Sequence, residues 1–255
     1  MVAMSTSPAV GALPATRRDR QRQATVAEIK ALARHQLAEQ GTGAVNLRAI
    51  ARQMGTASSA LYRYFASHDE LISALCVDAY DAVADAMEAA RDTLPAGDHV
   101  GTWQAICDAY RSWSLASPAD FALIFGTPVP GYRAPSQVTG PAAGRFTAVP
   151  LEIFTAAVAA GAADPGRTEV PPDLPAGELL KDLLGRSGLT PSAHLAAIAL
   201  NAFASVRGYL IMEIFGSLTD LITDLGRLYQ AHIRTVMLGM GYDPAPVHAA
   251  TRLRD

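Results

Sequence analysis

The sequence predicts an all-helical protein made of a small N-terminal domain and a larger helical body. Apolar residues recur at three- and four-residue intervals through most of the 255 residues, which is the spacing of one face of an α-helix. The sequence contains no period-two alternation of useful length and no internal repeat. Half of the residues are hydrophobic and 18% are charged, which permits a substantial buried core and argues against global disorder.

Charge is distributed unevenly along the chain. The net charge is −3, yet residues 1–68 have a net charge of +6 and the remainder has a net charge of −9. A basic N-terminal unit on an acidic body is typical of a nucleic-acid-binding domain joined to a domain with another role. Chance segregation of charge would give the same composition.

The first 22 residues predict a flexible basic arm. They are rich in Ala, Pro, Ser and Thr and then in Arg, without apolar periodicity, so order is expected to begin near Thr25. An amphipathic helix is predicted from there to Gly41. Its apolar residues are Val26, Ile29, Ala33 and Leu37.

Two short helices are predicted next. Asn46 is a suitable N-cap for a second helix over residues 47–54, which Gly55 ends. A third helix is predicted over residues 58–64. The lengths of these helices and the turn between them match a helix-turn-helix motif, in which the second helix lies in the DNA major groove.

The residues of the third helix suit contact with DNA. Hydroxyl groups at such a position donate hydrogen bonds to phosphates and base edges. The candidate donors are Ser58, Ser59, Tyr62 and Tyr64. Two short helices around a glycine can also occur in an ordinary helical core, and the basic charge of this unit favours the DNA-binding interpretation.

The body is predicted to begin with three further helices. Ser67 and Glu70 form a capping box for a fourth helix that runs toward Arg91. The next helix has an aromatic stripe and ends at residues 117–118, and a short helix follows over residues 121–125. The stripe consists of Trp103, Ile106, Tyr110 and Trp113.

The second half of the body is predicted to contain more irregular chain. Residues 126–150 include five prolines and four glycines, so they are expected to form an irregular packed loop, followed by a helix over residues 150–160. A connection over residues 164–175 leads through a short helix to two long helices. These helices are expected at about 192–215 and 219–239.

Three segments of the N-terminal unit resemble the tetracycline-repressor-like (TetR/AcrR) family of transcriptional regulators. They are 46–51 (NLRAIA), 60–65 (ALYRYF) and 67–71 (SHDEL). The resemblance covers about residues 25–75 and implies a three-helix DNA-binding domain, a larger helical ligand-binding domain and a homodimer. The DNA contacts that it implies are Arg48, Ser58, Ser59, Tyr62, Arg63, Tyr64 and His68.

Two positions depart from the family pattern. Ala57 stands where the family usually has a serine or threonine cap, and Ser58 is expected to take over that cap. His68 stands where the family usually has a phosphate-binding lysine. Because a neutral imidazole binds phosphate weakly, we expect operator affinity that depends on pH.

The body resembles a subgroup of the same family that is named for a Trp-His-Gly triplet. The resemblance rests on Trp113, Pro118, Phe121, Phe125, Gly126, residues 128–132, Gly208 and residues 213–216. Phe203 and Arg207 occupy the Trp and His places before Gly208. The contribution of those two places to a ligand site is therefore open in this chain.

Several body residues are candidates for an effector pocket, since pockets are mostly apolar with a few polar groups. The candidates are Trp103, Tyr110, Trp113, Phe121, Phe125, Phe203 and Arg207. Each aromatic residue singly is more often a core residue than a ligand contact. Glu213 is expected to form a structural ion pair, and the role of Arg207 is left open between pairing and ligand orientation.

The two last helices predict a symmetric dimer. The helix over residues 192–215 is apolar almost all round and rich in alanine, as expected when one side faces its own domain and the other a second subunit. The final helix adds a wide apolar stripe. A fully buried monomer core is the alternative.

Other classes of protein receive little support from the sequence. Two cysteines, Cys76 and Cys107, suggest free thiols in a reducing compartment, and the N-terminus lacks the order of a signal peptide. Polar residues interrupt the most apolar stretch, 195–215, so no membrane span is predicted. The sequence has no metal-ligand spacing and no phosphate loop or nucleophile elbow, so we expect no cofactor, no metal and no catalytic site.

The sequence therefore predicts a cytoplasmic, ligand-responsive DNA-binding regulator. Its expected parts are an arm (1–22), a helix-turn-helix domain (23–68), an effector-binding and dimerisation domain (69–240) and a tail (241–255). The expected partners are an operator in double-stranded DNA, a largely apolar small molecule and a second copy of the chain. The alternative is a helical adaptor or enzyme that does not bind DNA.

Overall fold

A computed structural model describes residues 16–249 except 42, 44, 127, 176, 179 and 182–191. Within these residues the regular structure is α-helical, apart from a 3-10 turn at Pro165–Arg167 and one isolated bridge between Ala163 and Tyr242. The all-helical prediction is confirmed. The helices are α1 (Arg17–Gln40), α2 (Leu47–Gln53), α3 (Ser58–Leu61), α4 (His68–Asp92), α5 (His99–Ala116), α6 (Pro118–Phe125), α7 (Ser136–Ala159), α8 (Ala193–Ile214), α9 (Leu225–Gly239) and α10 (Pro244–Ala249).

The first helix is longer than predicted, and the flexible arm over residues 1–22 is wrong for Arg17 to Arg22. The Thr16 hydroxyl accepts a hydrogen bond from the Asp19 N–H, and the Asp19 carboxylate accepts one from the Thr16 N–H. This reciprocal cap satisfies amide groups that have no partner within the helix, so the helix begins before its apolar face does. Residues 1–15 lie outside the described residues.

The N-terminal domain, which we call the head, consists of α1 to α3 and the first part of α4. Asn46 caps α2 as predicted, since its side chain accepts hydrogen bonds from the N–H groups of Arg48 and Ala49. The α-helical part of α3 is shorter than expected and continues as a turn to Tyr64. The expectation that Ser58 caps it is wrong, because Ala57 occupies the N-cap position and no side chain bonds the first turn.

The head has its own hydrophobic core, and α4 joins it to the body. Buried residues of the head core include Ile29, Ile50 and Leu61, and also Leu71 and Leu75 from the first turns of α4. Farther along, α4 contributes residues to the core of the body. A single helix of 25 residues therefore links the two cores.

The largest difference from the sequence prediction is α7. Residues 126–150 were expected to be an irregular loop, but the helix spans Ser136–Ala159 without interruption and contains Pro141 and Pro150. Tertiary packing outweighs the loss of proline N–H groups, because the helix buries an apolar face against the body core. The apolar residues of that face include Phe146, Val149, Ile153, Phe154 and Ala157.

The C-terminal part differs from the prediction in two places. The last long helix begins at Leu225 rather than near 219. The tail expected at 241–255 is wrong for Gly241 to Val247, because Tyr242 and Val247 are fully buried in the body core. The Asp164 N–H donates a hydrogen bond to the Gly241 carbonyl, 2.9 Å away, which holds this segment in place. The short helix expected before α8 falls largely on residues 182–191, outside the described residues.

Two helices, α7 and α8, are long and apolar enough to span a membrane by length and composition alone. Both also contribute buried residues to the body core. Core helices commonly have this composition, so we assign neither helix to a membrane.

Candidate functional site

The residues predicted to contact DNA retain solvent exposure in the head. Four of them are exposed: Arg48, Ser59, Tyr62 and Arg63. Tyr62 has 48% of its surface accessible. Ser58, Tyr64 and His68 are half-buried. The intervening Leu61 and Phe65 are buried in the head core, which fixes the orientation of α3 and leaves its polar residues accessible.

An arginine of α1 lies against this surface. The guanidinium of Arg22 lies 5.2 Å from the centre of the Tyr64 ring, a cation–π arrangement. One of its terminal nitrogens is 3.5 Å from the Arg63 carbonyl oxygen. The extended α1 therefore brings Arg17, Arg18 and Arg22 of the expected arm beside α3 and the turn that follows it, which together form the recognition helix of the motif. Sequence reasoning missed this contact because it placed those arginines in a flexible segment.

His68 begins α4 and has an acidic neighbour. Its Nδ1 atom lies 3.3 Å from a carboxylate oxygen of Asp69. Ser67 caps the helix as predicted by accepting a hydrogen bond from the Glu70 N–H. The Glu70 carboxylate, however, accepts its bond from the Ala66 N–H rather than from Ser67.

A cavity with two adjoining lobes lies in the body. The inner lobe is bordered by α7 and α8 and has a volume of about 290 Å³. The outer lobe is bordered by α4, α6, α7 and α8 and has a volume of about 830 Å³. These volumes are in the range of small-molecule sites. Five residues line both lobes: Phe146, Thr147, Leu180, Leu200 and Arg207.

Three of the predicted ligand residues line the cavity. Phe203 lines the inner lobe, Phe125 lines the outer lobe and Arg207 lines both. The other four, Trp103, Tyr110, Trp113 and Phe121, line neither lobe. Trp103, Tyr110 and Phe121 are fully buried in the body core and Trp113 packs against it, which is the core role that the sequence left open. Much of the lining comes from α7 and was missed because that region was expected to be a loop.

Arg207 and Tyr110 lie within a cluster of aromatic rings. The guanidinium of Arg207 is 4.4 Å from the centre of the Phe125 ring. The Tyr110 ring stacks on Phe203 at 5.4 Å and meets Phe125 and Phe146 edge-on. Burial raises the pKa of Tyr110, and the positive charge of Arg207 opposes that rise. Arg207 therefore lies close to the Tyr110 hydroxyl.

A partly buried ion pair joins α5 and α8. Glu213, with 5% of its side chain accessible, binds the guanidinium of Arg111 through both carboxylate oxygens. This geometry confirms the expected structural pairing of Glu213. Arg111 was not identified from the sequence, because it lies 102 residues away along the chain.

The short helix α6 contacts both the head and the body. Asp120 accepts a hydrogen bond from Arg34 of α1 at 3.1 Å, and Asp78 of α4 binds the same guanidinium at 2.9 Å. Burial raises the pKa of Asp120 and the charge of Arg34 opposes this. On the same helix Leu123 is part of the head core, whereas Phe121 is part of the body core.

Comparisons with known proteins agree with this architecture. Residues 29–75 match the family model described as bacterial regulatory proteins, tetR family, and residues 103–236 match the tetracyclin repressor-like C-terminal domain. HTH-type transcriptional regulators of Mycobacterium tuberculosis (strain ATCC 25618 / H37Rv) and Mycobacterium bovis (strain ATCC BAA-935 / AF2122/97) are each 35% identical over 212 residues, covering 83% of this chain and 90% of theirs.

Two solved structures are also similar. A regulatory protein designated SCO4313 has a TM-score of 0.67 and 34% identity, and the match covers 87% of this chain and 99% of that one. A protein from Rhodococcus sp. RHA1, described as having unknown function, has a TM-score of 0.64 and 24% identity, with 85% and 95% coverage. The second match shows the fold alone.

The head and its exposed recognition helix define a DNA-binding transcriptional regulator of the helix-turn-helix class. The chain belongs to the TetR family of bacterial regulators. Members of this family are non-enzymatic DNA-binding proteins, so the alternative of a helical enzyme or adaptor without DNA binding is set aside.

Proposed function

We propose that the protein is a homodimeric repressor that binds a near-palindromic operator and leaves it when a small molecule occupies the body cavity. It acts in the cytoplasm, on chromosomal DNA. Both cysteines of the described chain, Cys76 and Cys107, are buried free thiols, which suits a reducing compartment.

The observation that supports a response to ligand is the position of α6. Phe125 lines the cavity at one end of this helix, and Asp120 binds Arg34 of the head near the other. Asp120 and Phe125 belong to one helix of eight residues. A ligand that shifts this helix through contact with Phe125 therefore also shifts Asp120, and with it the attachment of α1.

The position of the head matters because the two recognition helices of a dimer must fit successive major grooves. Half-sites in B-DNA are about 34 to 36 Å apart per helical turn. A ligand that prefers a body conformation with a different separation of the heads lowers DNA affinity by linkage, and DNA lowers ligand affinity by the same factor.

The support for a dimer comes from the outer face of α8. Leu200, Ala204, Gly208 and Met212 follow one another at four-residue spacing, and all are exposed in the subunit. Leu200 and Ala204 also line the inner lobe, so the cavity borders this stripe. Phe215 extends the stripe with more than half of its surface accessible. A stripe of small and apolar residues on a long helix suits an isologous contact with the same helix of a second subunit.

The test begins with selection of bound fragments from genomic DNA by the purified full-length protein. A recovered near-palindrome with half-sites one or two helical turns apart supports the dimeric operator complex. Recovery of unrelated fragments, retained equally by scrambled competitor DNA, contradicts it.

The recovered operator then tests the recognition helix by fluorescence anisotropy. Ser59→Ala and Tyr62→Phe each remove one exposed hydroxyl, and we expect each to weaken binding by roughly tenfold, as for the loss of one specific contact. Ser112→Ala removes an exposed hydroxyl from α5 and is the matched control. Equal affinity of all three variants and the wild type would place the DNA contact elsewhere.

A further inference from the structure

The cavity has an unusual distribution of charge. Its inner lobe is lined by apolar residues apart from Thr147 and Arg207, and its outer lobe adds hydroxyl groups but no further charge. Arg207 is thus the one charged side chain among the described residues that line either lobe.

Arg207 has no anionic partner within the described part of the chain. The Arg207 guanidinium instead packs over the Phe125 ring in a cation–π contact. Its Nε–H group is buried and has no hydrogen-bond acceptor. Arg207 as a whole is half-buried, and its unpaired Nε–H group is unfavourable because burial removes solvation that the protein does not replace.

Tyr110 lies beside Arg207 but lines neither lobe. Its buried hydroxyl makes no well-aligned hydrogen bond among the described residues, and the group it interacts with is the Arg207 guanidinium itself. Buried polar groups in native proteins are nearly always paired, so a cation without an acceptor at the wall of a cavity indicates a site for an acceptor group with negative charge. Arginine suits this role because its planar fork of donors matches a carboxylate.

We propose that the effector is a monocarboxylate with an apolar body, whose carboxylate pairs with Arg207 and whose body fills the lobe between α7 and α8. One guanidinium balances one negative charge, and the apolar lining excludes a second charged group. This inference rests on the proposed function, since it names the chemical class of the molecule that the cavity binds.

The first test needs only the wild-type protein and isothermal titration calorimetry. The probes are octanoate, decanoate and naphthoate, each compared with the neutral alcohol and with the amine of the same body. We expect at least one carboxylate to bind at least about tenfold more tightly than its alcohol, and the amines to bind least. Equal affinity of carboxylate and alcohol, or no saturable binding of any carboxylate, overturns the proposal.

The second test uses Arg207→Met, which keeps an unbranched apolar stem and removes the charge, and Arg207→Lys, which keeps the charge without the fork. We expect carboxylate affinity to fall about thirtyfold or more in Arg207→Met, as for removal of one partner of a desolvated charge pair. The alcohols should bind this variant as well as or better than the wild type, which also shows that its cavity is folded. Arg207→Lys should retain part of the affinity. Unchanged carboxylate binding in Arg207→Met refutes the assignment.

Operator release separates this inference from the proposed function. The carboxylate that binds the wild type is added to the protein–operator complex, and anisotropy reports dissociation. Release by a carboxylate, lost in Arg207→Met, supports both statements. If a carboxylate binds tightly but the operator is not released, the proposed ligand response is wrong and the carboxylate assignment stands. If neutral or cationic molecules release the operator and carboxylates do not, the carboxylate assignment is wrong and the ligand response stands.

Discussion

Replacing Gly208 by alanine tests whether the outer face of α8 is a dimer interface. The substitution should stabilise the protein if that face is free, and it should weaken dimerisation if that face is the interface. Gly208 is exposed in α8, and a Cβ atom at this position meets no heavy atom of the subunit within 4 Å. Alanine is favoured over glycine inside a helix by about 1 kcal/mol. If the surface is free, Gly208→Ala should therefore raise the melting temperature by roughly 2 to 4 °C for a chain of this size.

The proposed dimer reverses this expectation. An extra methyl group in a closely packed contact costs about 1 to 3 kcal/mol, and a two-fold axis places it in the interface twice. We therefore expect Gly208→Ala to raise the dimer dissociation constant about tenfold, and Gly208→Glu to raise it by more because two like charges approach each other.

Sedimentation equilibrium over a range of protein concentrations measures the dissociation constant, and thermal unfolding at one concentration measures stability. Ser112→Ala in α5 is the control, since it places alanine at an exposed helical position away from α8. It should raise the melting temperature without changing dimerisation. If Gly208→Ala behaves like this control and remains dimeric, the outer face of α8 is not the interface.

Three further predictions concern DNA affinity and stability. Arg48→Ala should weaken operator binding and reduce the magnitude of the slope of log affinity against log salt by about one, because one phosphate contact is lost. Anisotropy at several salt concentrations measures this slope. An unchanged slope would mean that Arg48 does not contact a phosphate. Glu213→Gln should lower the free energy of unfolding by about 3 kcal/mol, measured in urea, because it leaves the Arg111 charge without its buried partner. A loss below about 1 kcal/mol would mean that water solvates Arg111 as well as Glu213 does. Burial lowers the pKa of His232 below its usual 6.5, so the unfolded chain takes up the proton first. Stability should therefore decline as pH falls through about 6.5, and His232→Gln should decline less than the wild type over the same interval.

The head could be predicted from the sequence because its signals are local. Asn46 and Ser67 are cap residues that bond amide groups two or three positions along the chain, and their partners can be identified from spacing alone. Ile29 and Ile50 lie in short amphipathic repeats that define one buried face each. Local rules failed at Thr16, where the cap precedes the first apolar residue by more than two turns.

The cavity could be predicted only in part because it depends on contacts between distant segments. Phe203 and Arg207 were identified through their place in a family pattern, but the α7 residues opposite them were not. Proline content indicated a loop, and propensity could not show that Phe146 and its neighbours bury enough apolar surface to hold a helix. The Arg34–Asp120 bond joins residues 86 positions apart, and no spacing rule predicts such a pair.

Pro150 makes α7 easier to bend at the place where this helix lines the inner lobe of the cavity. A proline inside a helix cannot donate to the carbonyl four residues earlier, which here belongs to Phe146. Both residues line the inner lobe. The helix therefore lacks a backbone hydrogen bond where it faces the lobe. It can bend at that point to accept ligands of different width while both of its ends stay helical.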